Sequence, residues 1–186
     1  MTTWSALAFR DAPLLRPPKS ATAQTQTLGA SAFGQSRTNR QMNKLIDTKT
    51  GDLNFNDSKT IGYKSTKTQI LDFKLTESPQ EISYGNGWGW LMCDNLLLNG
   101  QAYSFGFSLF NDTLKSIQIN FSDHLERIKG NSNEWTEENE LKRKDEYDKW
   151  LTEQIGKQRD FDWGQIGAFY NPKDGVSTIV LTYKDV

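Results

Sequence analysis

Apolar residues recur at every second position through the middle of the chain, the spacing of a strand with one buried face. The apolar positions are Tyr103, Phe105, Phe107 and Leu109, and they alternate with the small residues Ala102, Ser104, Gly106 and Ser108. Asn99-Gly100 before this segment is typical of a two-residue hairpin turn, because both turn positions take positive φ. A strand ending near Leu98 comes first, and the spacing of two returns at residues 117–121, after the turn Asn111-Asp112. The pattern predicts a three-stranded antiparallel meander with one buried face, whose small-residue face would allow close packing.

Two further hairpins are predicted, one on each side of the meander. Residues 45–55 turn at Gly51, which suits a left-handed backbone position in a short loop. Residues 163–183 turn at residues 171–175, where Pro172 presets φ at the second turn position.

Two helices complete the predicted order. The segment Ser65-Thr66-Lys67-Thr68-Gln69 can cap a short helix that runs to Phe73. A long helix is expected between a Thr136 cap and Gly156, and its apolar residues are Leu141, Tyr147, Trp150, Leu151 and Ile155. Runs of strands broken by few helices predict an α+β fold. Its antiparallel β-sheet, a meander plus terminal hairpins, would be packed with one long and one short helix.

Residues 1–41 do not share this pattern. They contain three of the five prolines and are rich in Ser, Thr, Gln and Ala, so they cannot bury enough apolar area to offset chain entropy. We interpret them as a disordered or non-domain N-terminal tail, with a transit peptide or a leader foreign to the domain as alternatives. Residues 42–186 are then a single α+β domain.

Charge divides the same way. Of 22 basic and 23 acidic residues, residues 1–41 hold five and one, which leaves residues 42–186 with 17 and 22, a balance of −5. An acidic body argues against a nucleic-acid partner, which needs a basic face, and permits a basic protein partner. The longest apolar runs are far shorter than the ~18 residues of a bilayer span, so no membrane partner is expected and the cytoplasm is the default compartment.

Metal and cofactor sites are not expected. A single cysteine, Cys93, excludes an internal disulfide and zinc patterns built from several cysteines, and a single histidine, His124, excludes His-pair metal sites. The stretch Gly85-Asn86-Gly87-Trp88-Gly89-Trp90 enters a strand, whereas a phosphate cradle needs a helix start behind it. We interpret it as a loop that brings two tryptophans to a sheet edge.

No catalytic residues are assigned. Asp123-His124 lacks an accompanying nucleophile, so a capping or surface histidine is the favoured interpretation, and a small carboxylate- or His-dependent hydrolase is the enzymatic alternative. The carboxylates of the long helix interleave with lysine and arginine, as on a solvated helix face. The alternative for these carboxylates is an acidic docking surface next to a tryptophan that serves as a hot spot or as a hydrophobic staple. The binding candidates are Trp135, Glu137, Glu138, Glu140, Asp145 and Asp148.

The two ends of the predicted domain carry a family resemblance. The opening segment, Ile46-Asp47-Thr48-Lys49-Thr50-Gly51-Asp52-Leu53-Asn54-Phe55, is one half of it. The other half is the closing Phe161-Asp162-Trp163-Gly164-Gln165-Ile166 with Tyr170-Asn171-Pro172-Lys173-Asp174-Gly175-Val176-Ser177-Thr178-Ile179-Val180-Leu181-Thr182-Tyr183. Together they resemble small bacterial proteins encoded beside polymorphic or secreted toxins and taken to be their immunity proteins.

The resemblance covers residues 42–186. It implies a cytosolic, non-enzymatic protein that binds one cognate toxin or effector domain and blocks its active site. It transfers no catalytic or contact residue. A non-catalytic scaffold domain with a basic tail is a further alternative.

Overall fold

The computed structural model describes residues 44–56, 59–122 and 135–184, all of which belong to one compact unit, Asn43–Val186. The predicted tail, residues 1–41, lies outside the described residues. Within the described ranges the chain forms nine strands and two helices. In order they are β1 (Leu53–Asn56), β2 (Lys59–Ile61), α1 (Lys67–Asp72), β3 (Gln80–Ser83), β4 (Trp88–Leu98), β5 (Gln101–Phe110), β6 (Thr113–Ser122), α2 (Glu137–Ile155), β7 (Asp160–Phe161), β8 (Gly164–Asn171) and β9 (Val176–Tyr183).

Seven of the strands form one antiparallel sheet in the order β3-β4-β5-β6-β9-β8-β7, and β1 and β2 form a separate two-stranded sheet. The predicted α+β fold with an antiparallel sheet is confirmed, and so are its long and short helices. The meander turns have positive φ at both central residues, 51° and 84° at Asn99 and Gly100 and 47° and 60° at Asn111 and Asp112. The three short strands β2, β3 and β7 were not predicted.

The first hairpin differs from its prediction in how it is paired. The turn forms as expected, with Gly51 at φ 76° and its N–H donating to the Asp47 carbonyl at 2.8 Å. However, its first arm contributes only one isolated bridge, between Ile46 and Leu53. The continuous partner of β1 is instead β2, with Leu53 opposite Ile61.

The middle strand of the meander, β5, corrects the expectation that the meander has a single buried face. Phe105 and Phe107 are fully buried on the same side as Tyr103, whose ring contacts Trp150 of α2, but Ser104 and Ser108 on the other side are buried as well. The cause is β4, whose Trp90 and Met92 side chains lie over Gly106. A Cβ atom at Gly106 would come within 3.0 Å of the Trp90 ring and 3.1 Å of the Met92 sulfur.

Two aromatic side chains near the C-terminal end of the unit join the first hairpin to the large sheet by hydrogen bonds. The Tyr183 hydroxyl donates to the Gly51 carbonyl at 3.0 Å, and the Trp163 indole N–H donates to the Thr48 carbonyl at 3.0 Å. The Trp163 ring lies so close to Gly51 that an added Cβ would stand 2.5 Å from it. The hairpin is therefore held by hydrogen bonds to β9 and to the β7–β8 turn.

Three buried tyrosines predict a loss of stability at alkaline pH. Burial raises the pKa of Tyr103 and of Tyr147 to about 12, and burial also raises the pKa of Tyr183. In the unfolded chain these phenols ionise near the ordinary value of about 10. The stability of their neutral forms is thus fully present below about pH 10 and is lost as the pH rises through about 12.

An alkaline titration that follows tyrosinate absorbance and circular dichroism together tests this expectation. Three of the six tyrosines should ionise only as the circular dichroism signal of the folded state disappears. The expectation would be contradicted if all six tyrosines ionised near pH 10, about the ordinary tyrosine pKa, while the fold stayed unchanged.

Candidate functional site

Helix α2 begins at a well-formed cap and divides cleanly into two faces. The Thr136 side chain accepts the Asn139 N–H at 3.1 Å, as an N-cap residue does. The buried face carries Glu140, Tyr147, Leu151 and Ile155. The Tyr147 hydroxyl contacts the backbone of Phe121, donating to its carbonyl at 3.3 Å. The helix is therefore seated on the sheet, and its other face points to solvent.

Glu140, one of the predicted docking residues, lies in the interior. It is 3% exposed. Its carboxylate accepts the Ser177 backbone N–H at 2.8 Å and the Arg143 guanidinium at 2.5 Å. The Ser177 hydroxyl donates to the Glu140 carbonyl at 2.6 Å. Glu140 thus anchors the start of α2 to β9 and does not offer its carboxylate to a partner.

Trp135 makes a contact that neither of its two predicted roles named. Its indole N–H donates to the Gly175 carbonyl at 2.5 Å, and a Cβ at Gly175 would stand 2.8 Å from the ring. The ring thus joins the start of α2 to the β8–β9 turn. Trp135 nevertheless remains 52% exposed, so one side of a rigidly held indole faces solvent.

The other predicted acids are exposed or half-exposed on the outer surface of α2. Glu138 pairs with Lys142 at 2.7 Å, and this hydrogen bond lowers the pKa of Glu138. Asp148 is half-buried and pairs with Lys144 at 2.6 Å. Asp145 is exposed, 3.9 Å from the same lysine.

Glu137 lies beside the hydroxyl of Tyr170 on β8. The pKa of Tyr170 is raised, first by partial burial and then by the nearby charge of Glu137. The first turn of α2 is thus in contact with β8 as well as β9.

Leu141 is a functional candidate that the sequence reasoning missed. It is 44% exposed. Residues three or four apart are neighbours on a helix surface, so Glu137, Glu138 and Asp145 surround it together with one lysine, Lys144. Its helical phase could have identified it, because Leu141 is out of step with the buried series Tyr147, Leu151 and Ile155. We call Trp135, Glu137, Glu138, Leu141 and Asp145 the acidic helix face.

The remaining sequence candidates fall elsewhere. Asp123 and His124 lie outside the described residues. Trp88 and Trp90 are part of β4, next to the edge strand β3. Cys93 is buried, and burial together with the nearby Asp94 raises the pKa of its thiol to about 11.

A cleft of about 470 Å³ lies between the first hairpin, the segment before α1 and Trp163. Several of its polar groups are bonded within the protein. The Ser65 hydroxyl accepts the Gly62 N–H at 3.0 Å, and the Lys184 amine donates to the Phe161 carbonyl at 2.5 Å.

The described residues contain no cluster of three or more His, Cys, Asp or Glu side chains arranged to hold a metal ion. In the same ranges, no helix has both the length and the apolar character needed to cross a bilayer. The structure defines an α+β protein with an open acidic surface on its long helix. Comparisons with protein-family models, curated proteins and solved structures found no match to this chain.

Substitution of Glu140 by alanine is expected to destabilise the protein by about 2–4 kcal/mol, because it leaves the Ser177 N–H and the Arg143 guanidinium without their buried partner. The matched control is Glu138→Ala. It removes an exposed carboxylate from the same first turn of α2 and should leave stability nearly unchanged. Urea unfolding followed by tryptophan fluorescence measures both. Equal midpoints for the two variants would contradict the anchoring role.

Proposed function

We propose that this protein is an immunity-type inhibitor that binds one cognate, cytosol-acting toxin through the acidic helix face. The observation that carries the proposal is an exposed leucine surrounded by three carboxylates and one lysine on a helix that is anchored at its start. An apolar contact surrounded by charge is the usual composition of a protein-binding surface, with the apolar residue supplying affinity and the charges supplying orientation.

The charge of the surface favours a basic partner. The body of the chain, residues 42–186, has a balance of −5, and Glu137, Glu138 and Asp145 lie together on one exposed surface. Toxins that act on nucleic acids or nucleotides in the cytosol need basic substrate grooves. An acidic surface can enter such a groove by charge complementarity, which raises the association rate and excludes the substrate.

The anchoring of α2 supports high affinity. Glu140 accepts a hydrogen bond from Ser177 and so fastens the first turn of α2. Trp135, just before the helix, donates one to Gly175. Side chains that are already held before binding lose less conformational entropy when the complex forms. The acidic helix face is in this sense organised in advance for its partner.

The proposal is tested with the product of the neighbouring gene, co-expressed with the full chain. We expect the two proteins to co-purify, and we expect the neighbour to be toxic alone and harmless in the presence of this chain. A harmless neighbour that does not bind at micromolar concentration would overturn the proposal.

Two pairs of substitutions locate the surface. Leu141→Ala should weaken binding by roughly 10- to 100-fold, the loss of about 1.4–2.8 kcal/mol at a central contact. Its control, Leu97→Ala, alters another exposed leucine, 63% exposed on β4, and should not change affinity. Likewise Glu138→Lys should slow association, whereas Glu77→Lys on the α1–β3 connection should not. Isothermal titration and stopped-flow kinetics measure the two effects. Equal losses within either pair would exclude the acidic helix face.

A further inference from the structure

The two edges of the seven-stranded sheet differ in how their backbone groups are satisfied. At the β7 edge, the Lys184 amine donates to the Phe161 carbonyl at 2.5 Å and the Gln158 amide donates to the Asp160 carbonyl at 2.7 Å. At the other edge, all four residues of β3 are exposed. A strand edge left open in this way is a template for pairing with another strand.

The direction of the free groups follows from one hydrogen bond. The Tyr84 N–H donates to the Trp88 carbonyl at 3.1 Å, and antiparallel pairing alternates, so the backbone groups of Ile82 also point toward β4. The N–H and C=O groups of Glu81 and Ser83 therefore point outward. Among the described residues, no backbone hydrogen bond partner faces them. Pro79 occupies the preceding outward position, where it offers no N–H.

An exposed apolar patch adjoins this edge. Ile82, Tyr84 and Trp88 are 37%, 47% and 42% exposed. They lie on the same side of the sheet, because Ile82 is opposite Trp90 and side chains alternate along each strand. Phe110 on β5 is opposite Trp88 and packs beside it, with 5.0 Å between the two ring centroids. We call Ile82, Tyr84 and Trp88 the edge patch.

We propose that β3 pairs with β3 of a second copy of this chain, antiparallel about a two-fold axis at Ile82. Outward-pointing groups must face outward-pointing groups, so the axis can lie at residue 81, 82 or 83. An axis at Glu81 sets two like charges directly opposite each other, which is destabilising. An axis at Ser83 leaves Glu81 beyond the partner's strand. An axis at Ile82 places Glu81 opposite Ser83 of the second copy and uses every outward group of the strand.

This register fits the charges and the apolar surface together. It makes four backbone hydrogen bonds and sets the two Ile82 side chains opposite each other as a non-hydrogen-bonded pair. Glu81 keeps its ion pair with Lys67, at 3.2 Å. The two edge patches become neighbours on one face of a continuous sheet. Because α2 contacts β8 and β9 on the opposite half of the sheet, the pairing is independent of the proposed inhibitor function.

Sedimentation velocity of the full chain from about 1 µM to about 1 mM covers the range expected for an interface of this modest size. The proposal predicts a reversible monomer–dimer equilibrium in this range. A chain that stays monomeric up to the highest concentration overturns it. A monomer whose β3 edge instead binds a different protein also overturns it.

Opposite charges at one position test the register. Ser83→Lys places an ammonium opposite Glu81 of the second copy and should tighten the dimer at least about threefold, whereas Ser83→Glu places like charges there and should weaken it by a similar factor. Shifts in the same direction for both variants would contradict an axis at Ile82.

Two further variants separate edge pairing from folding. Ser83→Pro removes an outward N–H and should abolish the dimer, while the control Ser83→Ala should retain it; circular dichroism checks that each variant is folded. Ile82→Cys should form an intermolecular disulfide on mild oxidation, because the paired Cα atoms would lie about 4.5 Å apart. Absence of this cross-link in a folded variant would count against the proposal even if Ser83→Pro cannot fold.

Discussion

Burial on both faces of β5, the middle strand of the meander, is the constraint on which the rest of the structure depends. On one side, Tyr103 of β5 and Phe121 of the neighbouring strand β6 contact α2, with the Trp150 ring centroid 6.4 Å from that of Tyr103 and 5.2 Å from that of Phe121. On the other side, Gly106 leaves room for Trp90 and Met92. A strand covered in this way cannot slip by one residue, because a slip would exchange its aromatic and small positions. The register of β5 therefore decides which of its faces meets α2 and which meets the side chains of β4.

Glu140 shows how a residue with the composition of a binding site can instead hold the site in place. A carboxylate among other carboxylates on a helix reads as part of an acidic surface. The structure turns it inward, where it accepts the Ser177 N–H and pairs with Arg143. A buried charge is tolerated only when it is paired and hydrogen bonded, and both conditions hold here. The consequence is a helix whose first turn is rigid and whose remaining carboxylates face solvent.

The two proposed surfaces lie on different parts of the molecule. The acidic helix face belongs to the half of the sheet that contains β8 and β9, and the edge patch belongs to the half that ends at β3. Each combines exposed apolar side chains with charge, but they differ in the geometry of recognition. The helix offers side chains to a basic groove, whereas the strand offers backbone groups in a fixed spacing.

Much of the architecture could be predicted from local patterns. The alternation in β5, the Asn99-Gly100 turn, the Thr136 cap and Gly156 after α2 each express a preference that acts over a few residues, so the meander, the long helix and their order followed from the sequence. Local patterns do not report which element covers which face. The burial of Ser104 and Ser108 and the short strand β3 depend on neighbours that are distant in sequence or weak in propensity. The inward turn of Glu140 was decided by the contact of α2 with β9, which only the tertiary structure supplies.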